Sequence, residues 1–218
     1  MKKTILSLML AAVSAQAFSA DSGFTAADVL VNMNAKTLDI LTESQRKDML
    51  DYYTEADSVY NVLNVMEGFS HLNPPVKDDY LQVQITPVTC YTIRILPYKD
   101  KKLAMTLYTV GDSVMAHDTE IRFYDMNMNE LKRDKFIKTL STEDFFDFKG
   151  VDGKLKKEIL QIIPFPTVEY SITPDGNKLK ADLTVGAFLT KEDLEKVSPY
   201  MRRIREYRWD GSKWHLID

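Results

Sequence analysis

Between Tyr80 and Tyr124 the chain alternates apolar and polar residues in four successive runs: Tyr80 to Ile85, Thr89 to Leu96, Lys102 to Thr109 and Thr119 to Tyr124. A period of two places every other side chain on one face of an extended strand. The runs are separated by Pro87, by Pro97 with Lys99 to Lys101, and by Gly111-Asp112. Such breakers punctuate strands, so the pattern predicts an antiparallel meander. Two short helices should precede it: Thr25 to Met33 starts on a threonine cap, and Leu41 to Tyr53 carries Thr42 and Gln45 at capping-box spacing.

The pattern then recurs. STEDFFDF, from Ser141, and KLKKEILQII, from Lys154, have helical capping and period. TVEYSIT and KLKADLTV flank the turn Pro174-Asp175-Gly176-Asn177 as a hairpin. Thr190 caps a short helix to Val197, and MRRIREYRW pairs with KWHLI across Asp210-Gly211. The fold class that follows is α+β, an antiparallel sheet with short helices, in units at residues 21–138 and 139–218. Tandem helix-helix-sheet units resemble the β-lactamase inhibitor protein, at the level of architecture only. ITP occurs at Ile85 and again at Ile172, three residues that are too few to establish a repeat.

Alternation also assigns the chain's last stretch. Tyr207 and Trp209 share a face, to which Trp214 and Leu216 return across the turn, leaving Arg208, Lys213 and His215 toward water. This hairpin is expected to lid the core against the helices, with Asp210-Gly211 supplying a tight turn.

Residues 1–20 read as a cleaved export signal: Lys2 and Lys3, the apolar run Thr4 to Val13, then the small residues Ser14 to Ala20. The only cysteine, Cys90, lies far from any lipidation point, so no stable membrane anchor is expected, and residence is periplasmic or secreted. Losing Lys2 and Lys3 leaves 26 basic residues against 32 acidic ones and moves the net charge from −4 to −6. An acidic chain without a long basic run does not suit nucleic acid. Arg202, Arg203 and Arg205 read as the solvated start of a strand. Cys90, inside an alternating strand, reads as a small buried hydrophobe.

The exported start, VGDSVMAHDTEIRFYDMN, ITPDGNKLKADLTVGAFLTKEDLEKV and YRWDGSKW together resemble an uncharacterised secreted family of Bacteroidetes, a domain of unknown function. That resemblance implies periplasmic or surface residence and carries over no catalytic residue.

Direct chemistry is sparse. His71, His117 and His215 are far apart in sequence, and the chain has no metal-ligating, phosphate-cradling or nucleophile-elbow motif. Asp125, Asn127 and Asn129 match the start of a calcium loop, but Glu130 and Phe136 stand where its glycine and closing glutamate belong, so a polar turn is expected. Asp175, Asn177 and Asp182 receive the same reading. Asp78-Asp79 and Glu143-Asp144 fall in a loop and a helix start. No catalytic, cofactor-binding or metal-ligating residue is assigned. The sequence therefore points to a non-catalytic exported binding or protein-interaction module for an unknown protein or small-molecule ligand. The alternative is a periplasmic hydrolase with a dispersed site around Asp112, Ser113, His117 and Asp118.

Overall fold

The computed structural model describes residues 24–56, 60–112, 114 and 116–217; the expected export signal and Ser113 lie outside them. Helix α1 (Ala26–Asn32) opens with a capping box in which Thr25 and Asp28 satisfy each other's backbone N–H. Helix α2 (Glu43–Ala56) starts on the Thr42–Gln45 box. Arg46 lies buried between the two helices and donates to the carbonyls of Val31, Met33 and Leu41 at 3.0, 3.0 and 2.8 Å. A guanidinium is thus placed on the negative end of α1. No helix among the described residues is long and apolar enough to cross a membrane.

Seven strands form one antiparallel sheet in sequence order: β1 (Val62–Leu63), β2 (Phe69–Lys77), β3 (Tyr80–Thr86), β4 (Thr89–Tyr98), β5 (Lys101–Val110), β6 (Asp118–Tyr124) and β7 (Glu130–Leu131). Helix α3 (Gly153–Ile162) follows, with Asp152 capping Lys154 and Leu155. A second antiparallel sheet is also a meander: β8 (Val168–Ile172), β9 (Lys178–Leu183), β10 (Ile204–Trp209) and β11 (Trp214–Ile217). Helix α4 (Lys191–Val197) connects β9 to β10. The class is α+β, and the two sheets differ in strand number and in where their helices fall.

The two faces of the large sheet are covered differently. Leu81, Val83, Ile85, Tyr91, Ile93 and Ile95 pack with Val29, Leu30 and Met49 of the first helices. On β5 the alternation brings Leu103, Met105 and Leu107 to the other face, where they join Ile121 and Phe123. That face packs against Tyr170, Leu179, Ala181 and Tyr207 of the small sheet, with Ile159 of α3 and Val197 of α4. Residues from both sides of position 138 therefore share one core.

Two sequence expectations are revised, and one pair of strands was not expected. Residues 62–63 and 69–77 form strands although the prolines masked the pattern; Pro74 and Pro75 lie on β2 beyond its short pairing with β1 and within a register shift against β3, where a missing N–H is tolerated. STEDFFDF is not an α-helix but a 3-10 turn at Thr142–Phe145, because Phe146 leaves to pair with Met201. The last hairpin closes with a four-residue loop rather than a tight Asp-Gly turn. Trp209 pairs with Trp214, and Asp210 Oδ1 accepts from the N–H groups of Ser212 and Lys213.

That hairpin does cover the core. Tyr207 and Trp214 are buried, Trp209 and Leu216 are partly buried, and the indole rings stand 5.5 Å apart. It closes onto the large sheet and the loop after β7 rather than onto a helix: Trp209 Nε1 donates to the Pro97 carbonyl and Trp214 N–H to the Phe136 carbonyl, both at 2.7 Å. Trp214→Ala should therefore cost about 3–5 kcal/mol, and Trp209→Ala less, in urea unfolding with unchanged m-values.

Candidate functional site

The β5–β6 loop delivers His117, Asp118 and Thr119 to the edge of the small sheet. Glycine is needed at position 111, where φ is +152° and an added Cβ would lie 2.2 Å from His117 Cδ2. His117 Nδ1 lies 3.0 Å from Glu169 Oε2, and Nε2 lies 3.0 Å from the carbonyl of Asp112. Both partners are acceptors, so both contacts become hydrogen bonds only when the ring carries two protons. The Thr184 hydroxyl donates to the His117 carbonyl at 2.5 Å. Asp118 Oδ1 and Thr119 Oγ1 accept the backbone N–H groups of Val168 and Tyr170 at 3.1 and 3.0 Å. Of the residues grouped by sequence as a dispersed hydrolase site, His117 and Asp118 meet the edge of β8, and Glu169, distant in sequence, could not be paired with His117 beforehand.

A cleft of about 440 Å³ opens beside this seam, lined by His117, Glu169, Thr184, Leu194, Met201 and Arg203. Arg203 Nε bonds Asp182 Oδ1 at 2.6 Å, and Lys180 Nζ bonds Oδ2 at 3.0 Å. Burial pushes the Asp182 carboxyl up, but these bonds outweigh it and hold the group below the usual carboxylate range. Arg202 pairs with Asp147, and Arg205 donates to the Asp144 carbonyl. Arg202 and Arg203 are exposed just before β10, each in an ion pair of its own, and Arg205 is partly buried. His71 sits opposite Gln84 on β2, and His215 Nε2 lies 2.6 Å from Asp210. The three histidines are not brought together, and no group of metal-ligating side chains occurs among the described residues. Asp125 caps its own turn, accepting from Asn127 and Asn129 N–H and from Asn129 Nδ2.

A different surface escaped the sequence reading. The β1–β2 hairpin is anchored by buried Asn64, whose Oδ1 accepts the N–H groups of Met66 and Gly68 and whose Nδ2 donates to Ser70 Oγ and the Ile85 carbonyl. Beyond this anchor Leu63, Val65, Met66 and Phe69 are 54%, 55%, 67% and 62% exposed. Leu63 and Phe69 are cross-strand partners, so the apolar surface is continuous at its base. Nearby, Tyr52 and Tyr60 stack at 3.9 Å. Residues 61–70 contain the signal, apolar side chains in a Gly-containing turn, but without a visible strand pair it reads as loop.

The family model described as a protein of unknown function (DUF3256) matches residues 18–214. The chain belongs to the DUF3256 family. A solved domain of an uncharacterized protein from Porphyromonas gingivalis W83 is similar in fold to this DUF3256 chain, with a TM-score of 0.74 at 20% identity over 88% of this chain and 96% of that one. Comparison with curated proteins gives no match. The resemblance read from the sequence holds as membership in a family of unknown function.

Cys90 in the DUF3256 chain is partly rather than fully buried, and burial pushes its thiol up to about 11, leaving little reactive thiolate at neutral pH. Asp182 gives a pH signature. Its folded carboxyl titrates below the unfolded value of about 3.9, so its contribution is complete above that value and is lost as pH falls through the folded one. Since Arg203 is largely exposed, Asp182→Asn should cost only about 1 kcal/mol at pH 7. The difference from the parent should shrink as the pH falls below about 3.9 and vanish once the folded carboxyl is protonated, followed by urea unfolding at each pH.

Proposed function

We propose that this protein is an exported, non-catalytic binding module that contacts a partner protein through the tip of the β1–β2 hairpin. The observation that carries the reading is the tip itself: four large apolar side chains held in water by a buried polar anchor. An apolar patch that contributes little to the core and is fixed in place suits an interface, since ordering its loop costs little on binding. The acidic balance argues against nucleic acid as the partner. Export rests on the Lys2-Lys3 start, the apolar run and the small residues before Asp21.

The hydrolase reading finds less support. Asp118 is engaged by Val168 N–H, and the two nitrogens of His117 are directed at Glu169 Oε2 and the Asp112 carbonyl rather than at a hydroxyl.

A photocrosslinking residue at Met66, in cells that make the protein, should trap one discrete protein adduct. Adding Leu63→Ser and Phe69→Ser should abolish it while changing stability by under about 0.5 kcal/mol, as for exposed sites. Equal trapping from exposed Lys149, or trapping indifferent to the two serines, would contradict the proposal.

A further inference from the structure

Among the described residues, some lysines of this chain are paired with acids and others are not. Lys47, Lys156, Lys178 and Lys196 sit in surface ion pairs. Lys101, Lys102 and Lys135 enter no ion pair among the described residues, and all three line one cleft of about 700 Å³. It lies where the β4–β5 turn meets the β6–β7 loop, with Leu103, Leu131 and Phe136 in its wall.

The charge there is not balanced locally. Of the two acids in the lining, Asp125 is occupied by the amides of its own loop. Asp125 stays charged and feels Lys101, so with Asp100 the lining carries two carboxylates against three lysines, an excess of one positive charge. Cations gathered without matching acids repel one another, and a bound anion relieves that repulsion. The adjoining turns are also held in a costly backbone conformation, Lys99 at φ 54° and Met128 at φ 61°, positions where glycine would be easier.

We propose that this cleft binds a small organic anion: an apolar ring or chain bearing a phosphate, sulfate or carboxylate head. The lysines hold the head, and Tyr98, Met126 and Leu131, the accessible apolar part of the lining, accept the body. Its volume falls in the range of small-molecule sites, about 300–1,000 Å³. A polyanion is a poorer match, because the chain carries a net charge of −4 and the lining itself includes Asp100 and Asp125. The site lies toward the β7 edge of the large sheet, away from the β1–β2 hairpin, and does not depend on the function proposed for that hairpin.

Naphthyl phosphate is a suitable probe, followed by the amide chemical shifts of isotopically labelled protein. Saturable shifts are expected at residues 98–103 and 125–131, weakened by added salt. Replacing all three lysines (Lys101→Gln, Lys102→Gln, Lys135→Gln) should raise the Kd at least about tenfold, roughly 1.4 kcal/mol, with an unchanged urea midpoint. Inorganic phosphate and neutral naphthyl methanol should each bind at least about tenfold more weakly than the probe. Shifts that do not saturate, that fall outside the cleft, or that survive the triple substitution would overturn the proposal. Equal binding of either half-ligand would also overturn it.

Discussion

The architecture depends on burial of β5 and β6 against the small sheet. Leu103, Met105, Leu107, Ile121 and Phe123 share one core with Tyr170, Leu179, Ala181 and Tyr207, completed by Phe136, Phe145, Ile159 and Val197. Each sheet has one apolar face that the other completes, and apolar burial is the largest favourable term in a fold of this size. The seam at His117, Asp118 and Thr119 follows from that packing. Once the sheets meet, the β8 amides of Val168 and Tyr170 lose water, and the carboxylate and hydroxyl from the β5–β6 loop replace it. The same loop needs Gly111 because nothing larger lets His117 pass so close.

On the other side, α1 and α2 shield the large sheet, and Arg46 closes the connection between them. A buried guanidinium is costly unless its donors are matched. Here carbonyls of Val31, Met33 and Leu41 receive it, and burial lowers its pKa from the usual arginine value. With both faces covered, the places left open are edges and turns. The proposed contact hairpin lies at the β1 edge, and the lysine cleft lies toward the β7 edge.

Much of this order was legible in the sequence, for physical reasons that differ by element. Strands β3, β4 and β6 show period two because most apolar residues of each gather on one face, whereas β5 is buried on both, and Thr25, Thr42 and Thr190 mark helix starts because a cap is a local bond. The faces of Tyr207, Trp209, Trp214 and Leu216 followed from register alone. What stayed hidden depends on long-range partners. Glu169 meets His117 only after the sheets close, and Arg203 meets Asp182 only across β9 and β10. Arg46 looks like any exposed helical arginine until its carbonyl partners are placed. Strand β2 was hidden by Asn73, Pro74 and Pro75, which suit an outer strand and read as a breaker.

If the shared core governs the fold, the two sheets cannot melt independently. Differential scanning calorimetry of the chain from Asp21 onward is the direct measurement. The account predicts one endotherm whose calorimetric enthalpy equals its van't Hoff enthalpy, as for a two-state unit. Two separable transitions, one for each sheet, would contradict it.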